Sequence, residues 1–590
     1  MRRIKGAAIA VTAGLLAAAC GSSKHSTTTP SATGSSTPPA ATTSAPVASS
    51  SAPATAPAAS GSVAAATHKQ GGTLTISNEQ GQTWTCQFNP FNPAVNAEAN
   101  GYVYEPLVYV NPLQNAKETP MLASSYTWNA DKTSITFTTR DGVKWSDGQP
   151  FSAKDVAFTF NLMKATPSTD LYSLWTGAGL TSVVAPDDHT VTLTFKAPAQ
   201  PYFYSFADQV VIVPQHIFST GDAAAKPDAW PDPTPIGTGP FMVKPCTPNN
   251  ITYVANPTYW QTGKPYIQKV EYPAYLDNNP ANLDLASGKA QWGGQFIPDI
   301  DNFYVKKDPT NNHYWFAPVV NVALYPNLDP SHKATSTLAV RQAMALAIDR
   351  DQVSKIGESG YQPPANQTGI VLPTFKDYYD QAAADAAGYG KVDIAKAKTL
   401  MEGAGYSSSK TLNLKVITVT GYTDWDASLA VVKQNLKQIY INLTIADEAQ
   451  QTYDDQLYKG NYDLAYYGQA AGPTPYTELR EILQSDNSAP IGTDASSNYE
   501  RYKNPDVDAL FVKYASATAD EQKAIIKQIS GYMLKDIPVI PTTESVNWFQ
   551  YSTKDFDGWP TADNPYAQAA PYNIPDAEQI LLNVWSKSAQ

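Results

Sequence analysis

The chain has few of the residues that most metal and catalytic centres use. Its 590 residues include three cysteines and six histidines, and the histidines are scattered singly along the sequence. It contains no Cys-x-x-Cys, His-Glu-x-x-His or Gly-x-Ser-x-Gly motif. These motifs are signatures of zinc sites, metalloproteases and serine hydrolases. We therefore expect no metal site and no cofactor, and the sequence shows none of these catalytic motifs.

Positive charge is also scarce. Lysine and arginine number 41 against 53 aspartates and glutamates, which gives a formal net charge of −12 at pH 7. Proteins that bind nucleic acid need a basic stripe that neutralises phosphates. The acidic balance therefore excludes nucleic acid as an expected partner.

The N-terminal apolar run is too short to cross a membrane. It covers residues 7–19 and follows the basic residues Arg2, Arg3 and Lys5, whereas a membrane-spanning helix needs about 20 apolar residues. This arrangement predicts a secretory signal peptide over residues 1–20. The signal ends in LAAACGS, which resembles a lipobox, although Ala17 stands where a branched apolar residue is preferred. We expect lipid attachment at Cys20; an ordinary cleaved signal peptide is the alternative.

Residues 21–70 form a low-complexity stretch of serine, threonine, alanine and proline. Such a segment cannot bury enough apolar surface to offset the entropy cost of ordering it, so we predict a disordered tether. At about 3.3 Å per residue, the tether could reach on the order of 160 Å when stretched. That reach suits a domain that is lipid-anchored at the extracytoplasmic face of the cell membrane, which is the location we predict.

Two cysteines, Cys86 and Cys246, remain after the signal peptide. In an exported protein such a pair suggests one disulfide; two buried free thiols are the alternative. The bond would close a long loop and would contribute about 4 kcal/mol in the chain-entropy model.

The most informative stretch is residues 136–156, which read TFTTRDGVKWSDGQPFSAKDV. An alternating strand and two glycine turns precede Ser152 and Asp155, whose spacing is that of a capping box and predicts the start of a helix. The stretch resembles the signature of solute-binding protein family 5, the dipeptide, oligopeptide and nickel receptors of ABC importers. Other segments resemble that family in the same order, at residues 102–107, 212–217, 235–241, 340–350 and 462–475.

The resemblance covers nearly all of residues 71–590 and implies an α/β fold of the periplasmic-binding-protein type, class II or cluster C. In this fold two lobes with mixed sheets are joined by a hinge of two crossovers, expected near residues 325 and 545. The sequence predicts a strand at residues 412–416, a helix at 429–438 and a strand at 441–445, and this strand-helix-strand order also predicts an α/β lobe. We assign residues 71–112, 233–325 and 546–590 to the first lobe, 113–232 to a subdomain inserted in it, and 326–545 to the second lobe.

The resemblance implies a receptor and not an enzyme. Such a receptor is expected to be monomeric, to capture a peptide or peptide-like solute between closing lobes, and to deliver it to the transmembrane permease subunits of an ABC importer. Two alternatives stay open. The first is a receptor for a non-peptide solute on the same fold, such as an oligosaccharide or a metal chelate, and the second is an exported hydrolase.

The predicted ligand contacts lie mainly in residues 462–475, which read YDLAYYGQAAGPTP. Peptide receptors of the family have a similar segment, in which an aspartate pairs with the α-ammonium of the ligand, and the resemblance places Gly472 at that position. Another carboxylate, Glu478 or Asp424, would then take the role, or the ligand lacks the ammonium, because a buried ammonium without a carboxylate is costly. The predicted contacts are Phe88, Asn89, Tyr104, Tyr466, Gly468, Gln469 and Ala470; for each aromatic residue, core packing is the alternative.

Overall fold

A computed structural model describes residues 68–79, 83–92, 99–276, 278–420, 422–468, 472–495 and 497–589. The predicted signal peptide with Cys20, most of the predicted tether, and the predicted contacts Gln469 and Ala470 lie outside these ranges. Among the helices of these ranges, none combines the length and the apolar character that a membrane crossing requires.

Strands and helices are interspersed along the described chain. The strands are β1 (Gly71–Ser77), β2 (Val108–Asn111), β3 (Lys117–Pro120), β4 (Ala123–Trp128), β5 (Ser134–Thr139), β6 (Leu180–Val184), β7 (Thr190–Phe195), β8 (Phe241–Thr247), β9 (Asn250–Ala255), β10 (Ile267–Pro273), β11 (Trp292–Gly293), β12 (Asn312–Tyr314), β13 (Pro318–Pro326), β14 (Leu412–Val419), β15 (Ile441–Glu448), β16 (Leu464–Gly468), β17 (Ile540–Val546), β18 (Gln550–Ser552), β19 (Phe556–Asp557) and β20 (Trp585–Ser586). The helices and helical turns are α1 (Ala99–Tyr102), α2 (Ala153–Ala165), α3 (Gln215–Phe218), α4 (Gly221–Ala225), α5 (Asn278–Ala286), α6 (Ile300–Phe303), α7 (Lys333–Ser336), α8 (Leu338–Ala347), α9 (Arg350–Gln352), α10 (Gln381–Ala387), α11 (Ile394–Gly403), α12 (Thr423–Lys437), α13 (Gln450–Lys459), α14 (Tyr476–Leu483), α15 (Pro505–Ser516), α16 (Ala519–Asp536) and α17 (Asp576–Asn583).

The first lobe is built around a seven-stranded mixed sheet. Its strand order is β12-β18-β11-β1-β10-β9-β8, and β1 is parallel to both of its neighbours. Leu74 and Ile76 of β1 are fully buried, as expected for residues two apart on a strand that faces the core. The sheet takes strands from residues 71–77, 241–314 and 550–552, so the chain leaves this sheet twice, first for the inserted subdomain and then for the second lobe.

The second lobe is built around a five-stranded sheet in the order β15-β14-β16-β13-β17. β14 is parallel to β15 and β16, while β13 is antiparallel to β16 and β17. Apolar clusters pack on both faces of this sheet. Burial on both faces explains why β14 ends in four consecutive buried residues, VITV, and does not alternate throughout.

The two connections between the lobes leave the second lobe side by side. β13 and β17 are antiparallel neighbours, and Pro318 at the start of β13 pairs with Val546 at the end of β17. The first crossover therefore precedes Pro318 and does not lie near residue 325, where the sequence placed it. The proline-rich turn from Pro326 onward follows a buried strand that already belongs to the second sheet. The other domain bounds stay predictions.

The inserted subdomain contains a four-stranded antiparallel sheet, β4-β5-β7-β6, against which α2 packs. α2 begins with the predicted capping box. Ser152 Oγ accepts a hydrogen bond of 3.3 Å from the Lys154 N–H, and the Asp155 carboxylate accepts one of 2.9 Å from the Ser152 N–H. Trp145, which precedes this cap, is fully buried, so the signature stretch serves to build the subdomain.

Cys86 and Cys246 form a disulfide, with their Cα atoms 5.8 Å apart. The bond connects the segment after β1 to β8 across a sequence separation of 160 residues. The loop that it closes contains the sheet of the inserted subdomain. The predicted pair is confirmed, and the alternative of two free thiols is wrong.

Several carboxyl groups are buried and accept hydrogen bonds from neutral donors. Glu544 accepts from the Leu372 N–H at 2.9 Å, and Glu358 accepts from the Ser428 hydroxyl at 2.6 Å. Asp576 accepts from the Tyr109 hydroxyl at 2.7 Å. Burial raises the pKa of Glu358 and of Glu544 to about 8 and that of Asp576 to about 7.

We expect the free energy of unfolding to fall as the pH rises from about 5 to about 8. In this window the unfolded chain has already released these protons, because its carboxyl pKa values are near 4, while the folded chain still holds them. The folded state therefore binds more protons, and its stabilisation is lost as the pH approaches the folded pKa. Urea unfolding at a series of pH values should show a decrease of at least about 1 kcal/mol.

Glu544→Gln provides the control for this pH effect. Glutamine keeps an oxygen that can accept the Leu372 N–H but does not titrate, so the profile of the variant should be flatter. A wild-type profile that stays level or rises across this pH range would contradict the prediction.

Candidate functional site

Two cavities lie along the boundary between the lobes, and the first of them, the central cavity, has a volume of about 430 Å³. Both lobes line it. The first lobe contributes Asn78, Glu79, Asn278, Gly294, Gln295, Phe296, Trp548 and Tyr572, and the second contributes Gln362, Tyr422, Thr423, Asp424, Trp425, Ser545 and Val546.

Strand direction explains why these segments meet. β1 and β11 are parallel neighbours, so the segments that follow them, residues 78–79 and 294–296, emerge at the same edge of the first sheet. In the second lobe, the chain passes from β14 into α12, whose first turn carries Asp424 and Trp425. Loops at the carboxyl ends of parallel strands are the usual place for ligands in open α/β sheets. The central cavity lies where two such edges face each other.

Both charged residues that line the central cavity are acidic. They are Glu79 and Asp424, and the described lining contains no lysine, arginine or histidine. Burial raises the pKa of Asp424 above its ordinary value. Behind the lining, Glu358 is fully buried, and its Oε2 has no hydrogen-bond partner among the described residues. Burial is the main cause of the raised pKa of Glu358 and the negative charge of Asp424 is the second, so these two carboxyl groups interact.

Aromatic rings form much of the remaining wall. Phe296 and Trp548 of the first lobe meet edge to face with ring centroids 5.4 Å apart, and Tyr422 and Trp425 of the second lobe do so at 5.1 Å. Ring faces pack on apolar groups and attract cations through their quadrupole. The cavity therefore offers apolar and π surfaces beside its carboxyl groups.

The second cavity, the lateral cavity, has a volume of about 750 Å³ and lies between the inserted subdomain and the second lobe. Its aromatic lining residues are Tyr126, Trp128, Phe203 and Tyr204 on the subdomain and Tyr476 and Tyr514 on the second lobe. Across the same boundary, the guanidinium of Arg480 lies 5.1 Å from the ring centroid of Tyr202. Side chains therefore bridge this boundary while leaving a space large enough for part of a solute.

Gly472, at the position of the expected aspartate, has no room for a side chain. It is buried, and a Cβ placed on it would lie 2.2 Å from Thr477 Oγ1. Of the two carboxylates considered as replacements, Glu478 is buried in the second lobe, accepts a hydrogen bond from the Asn321 amide, and lines neither cavity. Asp424 does line the central cavity.

Three of the predicted contacts lie in the core of the first lobe. Phe88, Asn89 and Tyr104 are fully buried. The Asn89 amide donates hydrogen bonds of 2.8 Å to the carbonyls of Pro227 and Trp230, and the Tyr104 hydroxyl donates to Asp232. None of the three lines the central or the lateral cavity. This placement gives them a packing role and does not support the predicted contact with a ligand.

The other described contacts belong to β16. Tyr466 is buried in the second lobe, and its hydroxyl lies 2.9 Å from Thr542 Oγ1. Gly468 ends the strand, and a Cβ placed on it would lie 3.7 Å from Trp425 Cζ2. Gly468 is therefore next to a wall of the central cavity, while Gln469 and Ala470 lie outside the described residues. Ligand contact by these residues stays a prediction.

Several residues of the central cavity were missed from the sequence, among them Glu79, Phe296, Trp425 and Trp548. One signal was available for Trp425. The sequence predicts a strand from residue 412, and the residue after a parallel strand is a natural place for a binding group. The helix is predicted from residue 429, whereas α12 begins at Thr423. The prediction starts too late because the largely polar first turn of α12 hides the apolar periodicity of the helix.

Comparison with known proteins gives consistent matches. The family model described as bacterial extracellular solute-binding proteins, family 5 Middle, matches residues 117–490. A Brucella ovis protein named as an ABC transporter peptide-binding protein is 29% identical over 437 residues, which cover 71% of this chain and 77% of that protein. The periplasmic oligopeptide-binding protein OppA of Escherichia coli is 26% identical over 454 residues, which cover 72% of this chain and 79% of OppA.

Solved structures share the fold over most of the chain. The periplasmic oligopeptide-binding protein of an ABC transporter from Thermotoga maritima aligns with a TM-score of 0.80 and 26% identity, covering 87% of this chain and 99% of that one. A crystal structure of the Thermotoga protein with bound mannohexaose gives a TM-score of 0.77 and 25% identity, with 87% and 98% covered. The two-lobe architecture is therefore common to these proteins.

Proposed function

Since this chain belongs to the bacterial extracellular solute-binding proteins of family 5, we propose that it is the extracytoplasmic receptor of an ABC importer and that it binds a peptide or peptide-like solute. The observation that carries the proposal is the central cavity, which both lobes line. Relatives that match over about three quarters of their own length are named as peptide-binding proteins. The transmembrane permease subunits are then the partner that receives the solute.

Capture by such a receptor requires a change in the population of open and closed states. A solute that touches the first lobe at residues 78–79 and 294–296 and the second lobe at α12 makes all of its contacts only when the lobes are closed. It therefore stabilises the closed state by its differential affinity. No bond of the solute is broken in this mechanism, and the solute passes on unchanged.

The test is to identify what co-purifies with the protein and whether it leaves unchanged. We expect native mass spectrometry of gently purified protein to show one solute of peptide mass per chain. Re-addition of that solute to stripped protein should reduce the radius of gyration in small-angle X-ray scattering. Absence of binding and compaction with a peptide mixture and with mannohexaose would overturn the proposal, and release of an altered solute would favour the hydrolase.

An oligosaccharide is the second candidate, and the aromatic walls of both cavities favour it. Ring faces such as those of Trp425 and Trp548 pack well on the apolar faces of sugars. The structurally similar Thermotoga protein has also been crystallised with mannohexaose. Binding of mannohexaose without binding of peptides would assign this chain to that class.

We also propose that the chain is a monomeric lipoprotein, anchored to the cell membrane through Cys20 and extended by the tether of residues 21–70. The lipobox-like sequence supports the anchor, and the family is extracellular by description. The tether would allow the folded domain to search for solute and to reach the permease, while the anchor keeps the domain close to the membrane.

Cys20→Ser is expected to move the protein from the membrane to the aqueous phase, because serine cannot take the thioether-linked lipid. Phase separation in Triton X-114 measures this directly, and wild-type protein should enter the detergent phase. Ser22→Ala, which keeps the cysteine, is the control and should behave as wild type. Equal partitioning of Cys20→Ser and wild type would contradict the anchor.

A further inference from the structure

We propose that the central cavity binds a positively charged group of the solute, an ammonium or a guanidinium, and that Asp424 is its main partner. The proposal rests on the proposed function, because it names the chemistry of the ligand at the same site. It assigns to Asp424 on α12 the pairing with the ammonium group that, in the family resemblance, belongs to an aspartate at the position of Gly472.

Closure of the lobes places two carboxyl groups in one confined space. Glu79 comes from the first lobe and Asp424 from the second, and the described lining has no basic residue. Among the described residues, Asp424 takes part in no ion pair. Like charges repel more strongly when water is removed. A cation between the lobes turns this repulsion into attraction, so the arrangement favours closure on a positively charged solute.

A third carboxyl group lies behind Asp424, and because burial raises its pKa to about 8 it is mostly protonated near neutral pH and leaves the negative charge to Asp424. Glu358 is fully buried, is held by the Ser428 hydroxyl at 2.6 Å through Oε1, and has no hydrogen-bond partner for Oε2 in the described part of the chain. A buried polar atom without a partner is costly to keep. Glu358 does not line the cavity and acts on the solute only through its neighbour Asp424.

Aromatic side chains complete a site for an organic cation. Tyr422 and Trp425 flank Asp424 in sequence, and Phe296 and Trp548 stand on the opposite lobe. The face of an aromatic ring attracts an ammonium or guanidinium within about 6 Å of its centroid. A neutral solute can use the same rings but gains nothing from the carboxyl groups, and an anionic group is repelled by them.

A metal ion is a poorer occupant than an organic cation. Oxygen-binding ions such as calcium take six to eight ligands, and the described residues contain no group of three or more histidine, cysteine, aspartate or glutamate side chains placed to hold a metal. Two carboxyl groups with aromatic walls match the size and the π-recognition of an ammonium or guanidinium.

The experiment compares one mixture of tetrapeptides in two forms. The peptides contain alanine, glycine, leucine and phenylalanine, so the free α-ammonium is their single positive charge, and N-acetylation removes it. Native mass spectrometry selects the binders, and calorimetry measures their affinity. We expect the free-amino form to bind at least roughly 30-fold more tightly, which is the lower range for removing one partner of a buried charge pair.

Asp424→Asn tests the residue itself. The variant should lose roughly 30-fold in affinity for free-amino peptides and should bind the acetylated ones as wild type does. Asp426→Asn is the matched control, since it changes the same residue type on the same helical turn at a position that does not line the cavity. Melting temperatures establish that each variant is folded.

Each other outcome has a definite meaning. Equal affinities for free and acetylated peptides, or equal losses for both forms in Asp424→Asn, would overturn this inference and leave the proposed function intact. Binding of mannohexaose in place of every peptide would overturn it in favour of the neutral-solute receptor. Absence of binding for all of these probes would overturn the proposed function as well.

Discussion

Changing Gly237 to alanine is expected to lower the free energy of unfolding by about 3 kcal/mol or more, at the upper end of what overpacking costs. The reason is a close approach of two backbone segments. A Cβ on Gly237 would lie 1.8 Å from the carbonyl oxygen of Val103 and 2.5 Å from its carbonyl carbon. The neighbouring Gly239 donates its N–H to the same oxygen at 2.8 Å. Neither segment can move without breaking that contact.

Gly531→Ala is the matched control. It makes the same chemical change inside α16, where a Cβ meets nothing within 4 Å. Alanine is favoured over glycine in a helix interior, so this variant should gain up to about 1 kcal/mol. Denaturant unfolding of the two variants beside wild type checks both signs. Similar stability of Gly237→Ala and wild type would show that the two segments are not held as close as the structure places them.

Replacing Cys86 and Cys246 together by serine is expected to cost about 4–5 kcal/mol of stability. The disulfide closes a loop with a sequence separation of 160 residues, and opening it returns that conformational entropy to the unfolded chain. Both residues are changed at once so that no single thiol is left. The fold itself should persist, because backbone hydrogen bonds from Trp84 to Pro248 and from Phe88 to Pro231, each 2.9 Å, also hold the segment.

Guanidinium unfolding of oxidised and reduced wild type supplies the control for the disulfide. Reduction should lower the unfolding midpoint by about as much as the double substitution does, because both remove the same covalent constraint. The double variant should not respond to reductant. A wild type whose midpoint is the same with and without reductant would contradict the prediction.

The sequence could predict the elements whose signals are local. The capping box at Ser152 and Asp155, the strands that begin at Leu412 and Ile441, and the pairing of Cys86 with Cys246 are all present in the structure. In each case the deciding residues are close in sequence or few in number. The resemblance of residues 136–156 to the family signature then gave the fold, which the comparisons support.

The central cavity could not be predicted in this way, because its lining comes from segments that only the folded lobes bring together. Glu79 and Asp424 are far apart in sequence and share no local pattern. Two predicted aromatic contacts, Phe88 and Tyr104, are of the residue types that often bind ligands, but burial, which sequence does not report, places them in the core. Their contact with a ligand stays a prediction that this placement does not support. The first crossover, which precedes Pro318, was predicted too late in the sequence. The turn after Pro326 is a clear local signal, whereas the start of the buried strand β13 has none.

We expect the hydrogen-bonded pair of β13 and β17 to act as the pivot of lobe closure. Since both inter-lobe connections leave from this pair, the second lobe can swing about it but cannot slide away. Ser545 and Val546 belong to the pivot and also line the central cavity, so this cavity lies on a short lever arm and widens little for a given angle of swing. A ligand group bound there should keep its contacts when the lobes open slightly, and it should be the last part of the solute to dissociate.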